Sequence, residues 1–123
     1  MIPRAGAQPP PGKHVLIVED DEGNRLTLCA LLEEAGFHVD EAASLAQARQ
    51  ALSAGRFALV VLDVILGDGS GIDLVSDVKE RQPGTRIALY TGSPRRAPPG
   101  VDLVILKGSD PFEVLEEIER LGR

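Results

Sequence analysis

From His14 onward the chain alternates short apolar runs with longer amphipathic stretches. Val15 to Val18 form a continuous apolar run ending in Glu19, Asp20 and Asp21, the pattern of a strand buried on both faces. Across Asn24 to Ala35, Leu28, Leu31, Leu32 and Ala35 recur at three- and four-residue spacing, which predicts a helix stopped by Gly36. Phe37 to Glu41 alternates as a short strand. Ser44 is placed to cap a helix that carries Leu45, Ala48 and Leu52 on one face and ends at Gly55. Phe57 to Leu62 is the most apolar run and predicts a third strand. After the glycine-rich turn Gly67 to Gly71, Ile72, Val75 and Val78 mark a helix stopped by Pro83 and Gly84. Arg86 to Tyr90 and Val101 to Leu106 are the fourth and fifth strands. Asp110, Pro111 and Glu113 give an N-cap, a first-turn proline and a capping-box acid to a last helix with Val114, Ile118 and Leu121 inward.

Buried strands separated by helices predict an α/β domain with a doubly wound five-stranded parallel sheet in the order 2-1-3-4-5. Ligands of such sheets bind beyond the carboxyl ends of the strands. One connection differs, because Pro94, Pro98 and Pro99 between Tyr90 and Val101 leave too few residues for a regular helix. The fourth helix is therefore expected to be short or absent. Residues 1–13 carry Pro3, Gly6, Pro9, Pro10, Pro11 and Gly12 with hardly any large apolar residue, and read as a disordered leader to a domain over 14–123.

Composition narrows the function. At 123 residues the chain is sized for one domain. A net charge of −6 and few aromatic residues argue against nucleic-acid binding, since phosphate neutralisation and base stacking both lack their groups. The apolar runs are too short for a membrane span, and no signal-peptide core opens the chain. Cys29, the single cysteine, reads as a small buried hydrophobe, which fits a reducing cytoplasm.

With the strands so placed, the carboxyl edge of the sheet collects Glu19 and Asp20, Asp63, Thr91 and Lys107. Asp63 interrupts an apolar run, where a lone carboxylate is costly to desolvate without a compensating cation or donors. Three converging carboxylates point to a hard divalent cation on oxygen ligands, Mg2+ above all, with Lys107 and the Thr91 hydroxyl opposite to hold an anion. A cation, a carboxylate nucleophile and a lysine make a site for phosphoryl transfer onto Asp63.

The motifs lie in order on the expected strands: Val18 to Asp21, Val60 to Gly71, Tyr90 to Gly92, and Leu106 to Gly108. On these residues the chain, from His14 to its end, resembles the receiver domains of bacterial two-component response regulators, which have a flavodoxin-like fold. The resemblance implies a phosphoacceptor at Asp63 and Mg2+ held by Glu19, Asp20, Asp63 and the backbone carbonyl of Ile65. It implies that Thr91, the Gly92 amide and Lys107 bind the phosphoryl group. The donor it implies is a sensor histidine kinase or a histidine phosphotransfer protein.

Three features depart from that pattern. Val104 stands where the family's switch aromatic is usual, so the familiar threonine-to-aromatic movement cannot operate as such. Gly108 replaces a common proline, and with it the readily formed cis bond, so the loop after Lys107 is expected to be differently shaped. Loss of the fourth helix is expected to bare the face of strands four and five, for a partner or a second copy to cover. These departures also support an alternative, a pseudo-receiver acting as a phosphorylation-independent interaction module. A haloacid-dehalogenase-like phosphatase is disfavoured because Ile65 stands where that chemistry needs a second carboxylate. For the same reason Ile65 cannot orient water, which predicts a long-lived acyl phosphate. Taken as complete, the chain has no output domain after Arg123, which predicts output by protein contact or onward phosphoryl transfer.

Overall fold

The computed structural model describes residues 13–121. Strands β1 (His14–Val18), β2 (His38–Ala42), β3 (Leu59–Asp63), β6 (Arg86–Thr91) and β7 (Leu103–Leu106) form one parallel sheet in the order β2-β1-β3-β6-β7, the predicted 2-1-3-4-5 winding. Helices α1 (Glu22–Glu34), α2 (Leu45–Ala54), α3 (Ile72–Arg81) and α4 (Pro111–Leu121) flank it. The leader expected over 1–13 lies outside the described residues except for Lys13, whose carbonyl already accepts the His38 N–H at 2.8 Å.

Alternation within the strands builds two cores. Leu16, Val18, Val60, Leu62, Ile87 and Leu89 face α2 and α3, packing with Leu45, Ala48, Leu52, Leu74 and Val78. Val15, Ile17, Val61, Ala88 and Ile105 face α1 and α4, packing with Leu28, Cys29, Leu32, Val114 and Ile118. Cys29 is part of this second core, and burial foremost pushes its thiol up to about 11, which keeps it unreactive.

The caps explain the helix limits. Asp21 accepts from the Asn24 amide at 2.8 Å, so α1 starts two residues before the apolar periodicity does. Gly36, with φ +94°, follows its end. Ser44 caps α2 through Gln47, and the Asp110 carboxylate accepts from Phe112 at the start of α4. Gln82, buried at the end of α3, joins the layers at the opposite edge by donating to the Leu52 and Gly55 carbonyls and accepting from the Phe57 amide.

Two features depart from expectation. The glycine-rich segment is no plain turn: β4 (Ile65–Leu66) and β5 (Gly69–Ser70) pair antiparallel as a small hairpin. Between β6 and β7 the described residues contain no helix, as predicted, yet the face beneath is largely covered. Asp102 accepts from the Ile87 amide at 2.9 Å, Gly100 at φ +88° lies against Val75 and Lys79, and Val101 packs on the core, so Ile87 and Leu89 are fully buried. The expected bare face therefore reduces to β7, where Val104 is half-buried and Leu106 is 37% exposed. The segment after Lys107 does take its own shape: the described peptide bonds are all trans, and Gly108 sits at φ +87°, which the proline ring forbids.

Candidate functional site

Because all five strands of the main sheet run parallel, their carboxyl ends meet at one edge. Leu62 pairs with Val18, and Asp63 pairs with Tyr90, which sets Glu19 beside Asp63 and Thr91 one residue beyond. Lys107 follows β7 and is tied in by its amide, which donates to the Thr91 carbonyl at 2.8 Å.

Lys107 Nζ lies 2.7 Å from Asp63 Oδ2 and 2.8 Å from Glu19 Oε1, with the Tyr90 ring centroid at 5.3 Å. The Ile65 amide donates to Asp63 Oδ1 at 3.1 Å. Glu19 is 1% and Asp63 6% exposed, while Asp20 faces solvent. One ammonium thus faces two buried carboxylates. Among the described residues, Glu19 Oε1 is the single buried side-chain polar atom without a hydrogen-bond partner, its approach to Lys107 being an ion-pair contact only. One carboxylate oxygen from each of Glu19, Asp20 and Asp63 falls within 4.8 Å of the others. An all-oxygen, net-negative donor set with an unsatisfied buried oxygen fits a hard divalent cation. The three carboxylates expected to hold Mg2+, and the lysine expected opposite, are therefore brought together.

The remaining predicted residues are placed around this cluster. Thr91 is buried, and its Oγ1 accepts from the Ser93 amide at 3.3 Å. Gly92 is exposed with open space beside it. Ile65 opens the hairpin with its side chain 78% exposed. Val104 pairs with Leu89 on the edge strand.

Burial first, and then the pairing with Asp63, raises the Glu19 pKa from 4.5 to about 6 against the pull of Lys107. For Asp63 burial acts upward too, but its pairing with Glu19, which takes the shared proton, and the bonds from Lys107 and the Ile65 amide outweigh it and hold the carboxyl below the ordinary aspartate value. Burial opposes the Lys107 ammonium, yet Asp63 and Glu19 lift it above the usual lysine value. Without metal, the folded domain holds the Glu19 proton more tightly than the unfolded chain does. The Glu19 contribution to stability is thus greatest below pH 4.5 and declines as pH rises to about 6. Asp63 works in the opposite sense, its contribution being lost only as pH falls below 3.8 through its lowered pKa. Glu19→Gln is expected to flatten the metal-free stability curve between pH 4.5 and 6, and wild-type Mg2+ affinity is expected to climb over the same interval. Thermal melts and Mg2+ titrations across that range check both.

Sequence reasoning missed two supports. Arg25 on α1 donates to the Glu19 carbonyl at 2.8 Å and to Glu41 at 3.0 Å, fixing the turn that carries the acidic pair. Gly71 lies so close to the Asp63 carbonyl that a Cβ there would overlap it. Its recurrence with Gly67 and Gly69 was a signal for a turn, not for this approach.

This fold and this acidic edge define a class. The response regulator receiver domain family matches residues 15–119, and the chain belongs to it. It is 36% identical over 80 residues to the photosynthetic apparatus regulatory protein RegA of Cereibacter sphaeroides, covering 65% of this chain and 44% of RegA. The chain thus spans less than half the length of the first curated relatives it matches. Among solved structures it is similar to a CheY-like receiver domain protein of Methanospirillum hungatei (TM-score 0.79, 28% identity, 89% of this chain and 93% of that one). It also shares its fold with TrrA of Thermotoga maritima, solved in complex with Mg2+ and BeF (TM-score 0.81, 24% identity, 89% and 98% covered). No helix among the described residues is long and apolar enough to cross a membrane.

Proposed function

We propose that the domain is a phosphoacceptor switch of a two-component phosphorelay, taking a phosphoryl group from a phosphohistidine onto Asp63 in a Mg2+-dependent reaction. The observation that carries this reading is the surplus of charge: three carboxylates offer oxygens within 4.8 Å of one another, and among the described residues Lys107 is the one ammonium that reaches two of them. Glu19, Asp20 and Asp63 would hold the metal with the Ile65 carbonyl, and the metal would supply neutralisation of phosphoryl oxygens. A carboxylate oxygen of Asp63 forms the new P–O bond while the P–N bond to histidine breaks, its electron pair leaving on the imidazole. Lys107 stabilises charge on the transferring group, and the Thr91 hydroxyl and Gly92 amide bind its remaining oxygens. Exposed Ile65 beside Asp63 offers no group to orient a hydrolytic water, which favours a long-lived acyl phosphate.

A sensor histidine kinase or a histidine phosphotransfer protein is the proposed donor. Support comes from exposed apolar residues on elements that open at the site edge: Leu26 on α1, Ile65, Leu106, and Phe112 at the start of α4. A cavity of about 380 Å3, lined by Leu28, Leu31, Tyr90 and Val114, opens between α1 and α4. The cytoplasm is the proposed location, where such donors and free Mg2+ occur together. Val104 and the missing helix favour the second reading, a pseudo-receiver that signals without phosphate.

Addition of Mg2+ with beryllofluoride, an acyl-phosphate mimic, to isotope-labelled protein separates the two. The phosphoacceptor reading expects large amide shifts at Ile65, Thr91, Gly92 and Lys107 that require both reagents. Unchanged spectra would move the assignment to the pseudo-receiver.

A further inference from the structure

The β4–β5 hairpin follows Asp63 directly and carries Ile65, yet its own two-residue strands are too short to hold it in place. Its fastening comes from a distance. Asp68 at the hairpin tip reaches the start of α2, where Oδ1 accepts from the Leu45 amide at 2.9 Å and Oδ2 from the Ala46 amide at 3.2 Å. Beside it, Gly69 at φ +146° lies against the Leu45 side chain so closely that a Cβ would meet it at 2.8 Å. The same helix start is served a second time by Ser44, which caps Gln47 from within the chain leading into α2. Helix α2 thus has two side-chain acceptors at its N-terminus, and only one of them belongs to the segment that follows Asp63. At the other end of that segment, the Gly71 amide donates to the Val64 carbonyl at 3.0 Å and the Ile65 amide donates to Asp63. The backbone from Asp63 to Gly71 is therefore a closed loop with Asp68 as its outward tether.

We propose that Asp68 is a positioning residue of the phosphoacceptor site, clamping the hairpin to α2 so that the Ile65 backbone is held ready beside Asp63. The inference rests on the proposed function, deepening it with a residue that touches neither metal nor phosphoryl group. Groups that orient a metal's ligands commonly change affinity by about tenfold or more when removed. An exposed aspartate whose effect were confined to helix capping would act only on stability, and so would Ser44.

The test compares wild type, Asp68→Ala, Asp68→Asn and Ser44→Ala by two readouts: amide hydrogen exchange over residues 64–71 without metal, and Mg2+ binding by titration. Asp68→Ala is expected to speed exchange of the Ile65 amide and to weaken Mg2+ binding by about tenfold. Asp68→Asn, which keeps one acceptor oxygen, should fall between it and wild type. Ser44→Ala should lower the melting temperature while leaving Mg2+ affinity and hairpin exchange as in wild type. Equal losses in Asp68→Ala and Ser44→Ala, or wild-type exchange and affinity in Asp68→Ala, would overturn the proposal. A wild type that binds no Mg2+ would count against the phosphoacceptor reading instead, and hairpin exchange would still decide whether Asp68 is the clamp.

Discussion

Gly71→Ala is expected to be among the most damaging single-methyl additions in this domain. Gly71 has φ −58° and ψ −26°, an ordinary helical conformation open to any residue, so backbone freedom does not explain the glycine. Space does. A Cβ would overlap the Asp63 carbonyl oxygen and press on the Leu62 side chain, and the nearest obstacle is main chain that cannot rotate away. Overpacking of a tight site costs about 1–3 kcal/mol, and a collision with backbone belongs at the upper end. In a domain of this size that is roughly 10 °C of melting temperature. The displaced atoms are those of Asp63, the proposed phosphoacceptor, so on that reading acceptance of phosphate should fall further than stability alone accounts for. Gly84→Ala, where a Cβ meets nothing within 4 Å, is the matched control and should be nearly neutral. Melting curves of the two variants decide the matter, and a Gly71→Ala protein as stable as Gly84→Ala would refute the close approach.

Lys107→Met is expected to show the second large effect, and one that Mg2+ reverses. In the metal-free domain Lys107 is the only cation within ion-pair distance of Glu19 and Asp63 among the described residues. Removing one partner of a buried ion pair costs about 3–5 kcal/mol, because the other charge is left without compensation. Here the Lys107 side chain is about a quarter exposed, 26%, so solvent screens part of the loss, and about 2–3 kcal/mol is the expected size. Two outcomes follow. The variant should be destabilised most where both carboxylates are ionised, near neutral pH. It should also gain more melting temperature from Mg2+ than wild type does, since the metal then supplies the only positive charge at the cluster. On the proposed function, acceptance of phosphate at Asp63 should be lost even when Mg2+ restores the fold. Equal Mg2+-induced shifts in the two proteins would show that lysine and metal do not share the neutralisation of these carboxylates.

What the sequence disclosed and what it hid divide along physical lines. The buried strands were legible because β1 and β3 are apolar on both faces, and only a parallel sheet covered by helices on each side explains that. Helix α1 began earlier than its periodicity because a capping interaction, Asp21 with Asn24, decides the start, while periodicity reports only the buried face. The third strand began two residues late: Phe57 is buried as the apolar run suggests, but its backbone bonds to the Gln82 side chain instead of to a neighbouring strand. The hairpin after Asp63 was hidden by its glycines, which read as a flexible turn. Its surroundings are the bonds from the start of α2 to Asp68 and the approach of Gly71 to Asp63, contacts that no local pattern encodes. The prolines before β7 mark that loop as non-helical, yet Asp102, bonding back to Ile87, folds it over the sheet and leaves little bare surface. The acidic cluster and Lys107 were legible because strand ends in a parallel sheet converge wherever the strands are correctly placed. The Arg25 bond to the Glu19 carbonyl was not, since an arginine one turn into a helix has many reachable partners.

The most direct measurement is the intact mass of the protein after incubation with a small acyl-phosphate donor, with and without Mg2+, beside the Asp63→Asn variant. A gain of one phosphoryl group that requires Mg2+ and is absent from Asp63→Asn is the predicted result. No gain under conditions that modify an ordinary receiver, or the same gain in the variant, would contradict the assignment of Asp63 as the phosphoacceptor.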